Sequence, residues 1–143
     1  MLRVAEFLAT FSGFIFAGAA VYINLVEHPA RMRCGIQLAA TVWAPSYKRA
    51  TVMQAPLALL SFGSGVFAWF LGAGSLWLVG AVLIGLVIPF TFLVIMPTNQ
   101  QLLSAGNMTL EQTQALLDKW AKLHSVRSLL SLLAATVYLI QLI

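Results

Sequence analysis

Two histidines, one arginine and one asparagine are the residues of this chain that could move a proton and hold the anion that remains. Trp120, His124 and Arg127 fall at i, i+4 and i+7, so in a helix they would share one face. A neutral imidazole can take a proton from a weakly acidic carbon or phenol, while a guanidinium or amide group stabilises the anion. The candidate catalytic residues are His28, Asn99, His124 and Arg127.

A second set of polar and aromatic side chains could bind a small hydrophobic ligand beside these residues. Indole, phenol and amide groups are typical of pockets in which a mostly apolar lining carries a few placed polar atoms. The candidate ligand-binding residues are Asn24, Trp43, Tyr47, Gln54 and Trp120.

The same histidines allow two other functions. His28 and His124 on facing helices could be axial ligands to a haem, or part of a metal site. Two histidines alone are a weak metal signal, and Glu27 is the one obvious carboxylate nearby. The first expectation is therefore a site without a cofactor, with haem or a metal ion as the alternative. A third interpretation is polar packing in a non-catalytic membrane scaffold or assembly protein.

The composition predicts an integral membrane protein. The chain has 143 residues, of which 61% are hydrophobic and 8% charged, whereas soluble domains carry about 25% charged residues. A chain this apolar cannot cover itself in water, so its main partner is the lipid bilayer. The net charge of +4 is no evidence for a nucleic-acid partner, and the single Cys34 excludes an internal disulfide. The sequence leaves open whether the chain forms a homo-oligomer.

Four apolar segments predict an all-α fold, a single bundle of four transmembrane helices. The spans are about 4–27, 46–71, 75–96 and 110–143. The first apolar segment continues past its small residues at 17–19, which favours a span over a cleaved signal peptide. Thr109 and Gln112 predict a capping box that begins an amphipathic extension before the fourth span. We expect that extension to protrude into water or to lie on the membrane surface.

Prolines and tryptophans predict the boundaries of these spans. Pro29 and Pro97 should end or bend the helices that contain them, because proline lacks a backbone N–H group. Residues 31–49 would then form a loop or a short interfacial segment, with Trp43 at headgroup level. Trp69 and Trp77 are expected in an aromatic belt at the opposite face.

Basic residues predict how the chain is oriented. The segment 31–49 holds Arg31, Arg33, Lys48 and Arg49, and the connection before the fourth span holds Lys119 and Lys122. The positive-inside rule places both long loops in the cytoplasm and both termini on the opposite side. Because the spans alternate in direction, the end of span one, the start of span two, the end of span three and the start of span four meet at one membrane face. The candidate site residues are therefore expected to gather there.

Four short motifs resemble those of the anthrone-oxygenase-like family of small four-span membrane proteins, many of which are filed as a domain of unknown function. The motifs lie in order along nearly the whole chain, at 22–30, 43–51, 96–99 and 120–127. They read Tyr22 through Glu27-His28-Pro29-Ala30, then Trp43-Ala-Pro-Ser-Tyr47-Lys-Arg-Ala-Thr51, Met96-Pro-Thr-Asn99 and Trp120-Ala-Lys-Leu-His124-Ser-Val-Arg127.

The resemblance implies an oxygenase or oxidoreductase that acts on a hydrophobic aromatic or quinone-like molecule without metal or flavin. The family's named activity is the oxidation of anthrones to anthraquinones by molecular oxygen. On this sequence it implies a base among His28 and His124, with Asn99 and Arg127 stabilising an enolate-like anion that gives an electron to oxygen. The substrate would enter from the lipid. Family membership does not transfer a particular substrate.

Overall fold

Four long helices account for almost the whole chain in a computed structural model, which describes residues 1–104, 106 and 108–143. They are α1 (Leu2–Arg33), α2 (Ile36–Phe70), α3 (Ser75–Leu103) and α4 (Leu110–Leu142). Each is long and apolar enough to cross a membrane. The protein is therefore a multi-pass integral membrane protein with an all-α fold, which confirms the predicted fold class.

The helices form a bundle in which each packs against two neighbours. Helices α1 and α3 both pack against α2 and α4. One end of the bundle brings together the end of α1, the start of α2, the end of α3 and the start of α4; we call it the pocket end. At the other end α2 and α3 are joined by a tight turn, in which Gly72 and Gly74 have φ of +88° and +97°. Residues with a Cβ atom rarely adopt this backbone conformation, so glycine suits both positions.

The predicted loop at 31–49 is wrong, because α2 begins at Ile36 and continues through Pro45. Only Cys34 and Gly35 separate α2 from α1, and Gly35 makes the turn with φ of +96°. The first turns of α2 are held by packing rather than by lipid. Trp43 is 1% exposed in a core cluster at the pocket end, so its indole faces the other helices and not the surroundings of the bundle.

Helices α1 and α3 also run through their prolines, so the predicted ends at Pro29 and Pro97 are wrong. In each case a π-helical turn, Ile23–Glu27 or Thr91–Ile95, comes just before the residue that precedes proline. The wider turn shifts the hydrogen-bond register by one residue, which gives room where the ring would clash with a preceding carbonyl. The predicted distortion is present, but it is absorbed within a continuing helix.

The first half of α4 packs against the other helices through one face, and its other face is exposed. Thr109 and Gln112 form the predicted capping box. Beyond it, Leu117 and Trp120 are buried against residues of the other three helices. At 1.5 Å per residue all four helices are about 44–53 Å long, more than the roughly 30 Å of a hydrocarbon core. The helical turns in excess of this thickness form the polar pocket end.

Tyr138 organises the opposite end of the bundle. Its ring lies in a slot formed by Gly13, Gly65 and Gly80 from the three other helices. Its hydroxyl donates a hydrogen bond to the Ser61 carbonyl oxygen at 3.2 Å. Trp77 stacks on the same ring at 5.2 Å and is 1% exposed. The prediction of Trp77 as an interfacial belt residue is therefore wrong, because this indole fills the core.

Replacing Gly80 with alanine should destabilise the bundle. The added Cβ would lie 2.5 Å from Cε1 of Tyr138, and overpacking of this kind costs about 1–3 kcal/mol. Gly63→Ala is the matched control, because nothing lies within 4 Å of its Cβ position. We expect thermal unfolding in neutral detergent at a lower temperature for Gly80→Ala only. Equal unfolding temperatures for the two variants would contradict the Tyr138 slot.

Candidate functional site

Asn24 and His124 are joined by a hydrogen-bond network between α1 and α4. Asn24 donates through Nδ2 to the carbonyl oxygen of Ala121 at 3.1 Å. Its Oδ1 accepts from the Ser128 hydroxyl at 2.6 Å and lies 2.8 Å from Nδ1 of His124. The side chain that the sequence analysis assigned to ligand binding therefore contacts the candidate base.

This network determines which nitrogen of His124 carries a proton. A backbone carbonyl oxygen can only accept, so the amide nitrogen of Asn24 must face Ala121 and its oxygen must face His124. Nδ1 of His124 is then the donor in that contact. In the neutral ring, Nε2 keeps the lone pair, and it is the nitrogen that can accept a proton.

Arg127 lies one turn after His124 and connects α4 to α2 and α1. Its Nη2 donates to Oε1 of Gln54 at 3.0 Å, and its guanidinium lies 5.6 Å from the centre of the Phe16 ring. Among the described residues, no carboxylate approaches Arg127 within 4 Å. A charge taken out of water without a counter-charge costs several kcal/mol. The charge of Arg127 is therefore uncompensated by any described carboxylate.

Trp43, Tyr47 and Trp120 form one wall of this region. Trp43 stacks on Tyr47 at 5.1 Å and meets Trp120 edge-on at 5.7 Å. Trp120 also contacts both imidazole rings, His124 at 4.9 Å and His28 at 5.5 Å between ring centres. The indole of Trp120 is thus a common neighbour of the two histidines.

Arg31, which the sequence analysis did not assign to the site, is buried at the same place. It pairs with Glu27 at 3.5 Å and lies 5.5 Å from the Trp120 ring centre. Glu27 also accepts a hydrogen bond from the Ser46 hydroxyl of α2. The i,i+4 spacing of the two residues suits this ion pair. The contact with Ser46 depends on α2 starting at Ile36, which the sequence did not indicate, and the Glu27 side chain remains 28% exposed.

Two adjoining cavities open among these side chains. The inner cavity has a volume of about 10 Å³, close to that of one water-sized group. It is lined by Ile23, Arg31, Trp43, Ser46, Tyr47, Ala50, Thr51, Gln54, Trp120, His124 and Arg127. The outer cavity, about 330 Å³, is a mostly apolar groove on the surface of the bundle between α2 and α3. Four residues line both cavities: Tyr47, Thr51, Gln54 and Arg127.

The structure does not bring every candidate residue to these cavities. His28 and Asn99 are buried at the pocket end, but neither lines the inner cavity or the groove. Both side-chain atoms of Asn99 and Nδ1 of His28 lack a hydrogen-bond partner among the described residues. The six other candidates, together with Asn24 through its contact with His124, converge on the cavities.

His28 and His124 are the side chains to consider for a metal ion or haem. Within the part of the chain that the structure describes, no three His, Cys, Asp or Glu residues are grouped closely enough to hold one ion. Cys34 is exposed at the turn between α1 and α2. The haem or metal alternative therefore depends on the two histidines alone.

Fold and site together define a four-span membrane protein whose polar pocket, at one end of the bundle, adjoins an apolar surface groove. The family model for anthrone oxygenases matches residues 43–137, and the chain belongs to that family. A relative from Aspergillus fumigatus, named anthrone oxygenase tpcL, is 36% identical over 76 residues. That match covers 50% of this chain and 47% of the relative, so the chain aligns with about half the length of that protein. No solved structure matches the chain.

The tautomer of His124 can be measured directly. With ¹⁵N-labelled histidine, we expect the NMR signals of His124 to show a protonated Nδ1 and a bare Nε2 at neutral pH. Asn24→Ala removes the acceptor and should abolish this preference. Ser128→Ala is the matched control, because Asn24 can still accept from Nδ1. A protonated Nε2 in the unmodified protein would contradict the network, as would an unchanged tautomer in Asn24→Ala.

Proposed function

We propose that this protein is a cofactor-independent oxygenase of the anthrone oxygenase family that acts on a hydrophobic aromatic or quinone-like molecule. The observation that carries the proposal is the position of Arg127 and Gln54, which line both the inner polar cavity and the apolar groove. A ligand whose rings occupy the groove can present an oxygen atom to the guanidinium. The groove's volume, about 330 Å³, is within the range of small-molecule pockets.

The substrate enters from the bilayer rather than from water. The groove is lined by residues of α2 and α3 with Phe16 and Arg127 behind them, and it opens at the outer surface of the bundle. Its rim includes Leu59 and Phe92, which are more than half exposed and face the lipid. An apolar ring system already dissolved in the membrane can move sideways into such a groove without crossing an aqueous layer.

His124 is the base in this proposal. Nε2 takes a proton from a ring CH₂ group, and the C–H electron pair moves into the conjugated carbonyl, whose oxygen becomes an anion. Asn24 then contributes by accepting from Nδ1–H of the imidazolium that forms. His28 is the less suitable base because it does not line either cavity.

Arg127 stabilises the oxyanion, and molecular oxygen is the oxidant. The substrate anion gives one electron to O₂, and the resulting radical and superoxide combine to form a C–O bond. The peroxide oxygen takes up the proton held by His124. Loss of water, with the second hydrogen of the CH₂ carbon, leaves a carbonyl group there. One O₂ is consumed, one oxygen atom enters the product and the other leaves as water, so no metal or flavin is required.

The pocket end faces the cytoplasm in this proposal. Arg31, Arg33, Lys48 and Arg49 lie at that end, and Lys119 and Lys122 lie near the start of α4. Lys48 and Arg49 are exposed, as headgroup-contacting or cytoplasmic residues should be. Both termini are then on the opposite side of the membrane.

Removing the base should abolish turnover while the fold is retained. We expect His124→Gln to reduce anthrone-dependent oxygen consumption by about 100-fold or more, the usual contribution of a general base. His28→Gln should retain most of the activity. The measurement is oxygen uptake with anthrone in detergent or nanodiscs, with a chelator present.

Ser125→Ala is the control for this experiment, because Ser125 is exposed and lies next to His124 in sequence. Full activity in His124→Gln, or the reverse order of the two histidine variants, would contradict the assignment of His124. No oxygen uptake from any aromatic CH₂ substrate, with a bound haem visible in the absorption spectrum, would favour the haem alternative.

The single thiol tests the orientation. Cys34 is exposed between α1 and α2 at the pocket end. An impermeant maleimide should label it only after the cells are opened. Ser75→Cys in a Cys34→Ser background places the thiol at an exposed position beside the opposite turn and should react in intact cells. Labelling of Cys34 in intact cells would contradict the proposed orientation.

A further inference from the structure

Several residues that line the inner cavity carry buried hydrogen-bond donors that have no acceptor among the described residues. The indole N–H of Trp43, the amide nitrogen of Gln54 and Nε of Arg127 are buried without a partner in the part of the chain that the structure describes. Trp43 and Gln54 are 1% and 2% exposed. Nε of Arg31, on the same cavity, is unpartnered as well. An acceptor atom inside the cavity would satisfy these groups, and leaving buried donors unsatisfied is unfavourable.

The charges around the cavity are also unbalanced. Arg31 and Arg127 both line it, and Glu27 compensates only Arg31. Among the residues that the structure describes, the cavity lining includes no carboxylate. The hydroxyl groups of Ser46 and Thr51 donate to Glu27 and to the Tyr47 carbonyl oxygen, so they add no free proton. A water molecule could accept hydrogen bonds here, but it could not neutralise the charge of Arg127.

We propose that the inner cavity is a binding site for one small monovalent anion, held by Arg127, Gln54 and Trp43. The volume of about 10 Å³ is close to that of one water-sized group, such as a single oxygen atom, and a larger halide ion requires small movements of the lining side chains. Small rotations of the lining side chains would turn these donors toward an anion. Anion binding needs no substrate and no oxygen, so it can be tested independently of catalysis.

The anion site would also take part in the proposed oxygenase reaction. This role in catalysis rests on the proposed function. A substrate oxyanion would need the same donors, so an inorganic anion in the cavity should compete with the substrate. The resting protein would then hold a counter-ion beside Arg127, which the substrate displaces as it enters from the groove. An amphiphile with an apolar body and one anionic oxygen fits this arrangement best.

Bromide is a suitable probe for the site. In neutral detergent, replacing sodium gluconate with sodium bromide at constant ionic strength should raise the unfolding temperature to a plateau, because a ligand that binds only the folded state stabilises it by mass action. Gluconate is too large for a cavity of this volume. An anomalous scattering peak for bromide beside Arg127 would locate the ion in a crystal.

Gln54→Glu gives a matched test with little change in shape. Its carboxylate would replace the amide oxygen that accepts from Arg127 at 3.0 Å, and it would supply the missing negative charge. We expect this variant to unfold at a higher temperature than the unmodified protein in gluconate and to lose its response to bromide. Gln37→Glu, on the exposed surface of the same helix, adds an equal charge and should keep the response.

Two results would overturn the proposal. Identical unfolding temperatures in bromide and gluconate for the unmodified protein would mean that the cavity holds water only. A bromide response in Gln54→Glu as large as in the unmodified protein would place the anion elsewhere. Neither result depends on oxygen uptake, so a failure of the anion site is distinguishable from a failure of the proposed oxygenase function.

Discussion

The rest of the site depends on the positive charge of Arg127. This charge lies between the interior of the bundle and a groove that faces lipid. Among the described residues, its guanidinium contacts two neutral groups, the oxygen of Gln54 and the ring of Phe16. A cation in such surroundings is costly unless something negative joins it. The aromatic wall, the position of His124 and the groove all surround this one group, and our functional proposal follows from what could neutralise it.

The helices create this environment because they continue beyond the points where proline would normally end them. The π turns before Pro29 and Pro97 let α1 and α3 extend to Arg33 and Leu103. These additional turns pack against the start of α2 and of α4, which buries Trp43 and Trp120. Four polar residues beyond the π turns are therefore enclosed by protein: His28, Arg31, Thr98 and Asn99.

Much of this arrangement could be predicted from the sequence, since apolar segments of membrane-spanning length dictate the number of helices. Alternating directions then bring Asn24, Gln54, His124 and Arg127 to one end, where the structure places them. The burial of Trp43, Trp77 and Arg31 could not be predicted in this way. It depends on contacts between helices, and interfacial and buried tryptophans look alike in a sequence. Asn99 reaches the predicted end, but its side chain turns out not to line either cavity.

The most direct test of the central claim is a high-resolution density map of the protein purified in native lipid, inspected between α2 and α3. Our account predicts a planar, non-lipid molecule in the groove, with one oxygen atom within hydrogen-bond distance of Arg127. Continuous acyl chains in the groove, with the Arg127 guanidinium turned outward to a phospholipid headgroup, would contradict it.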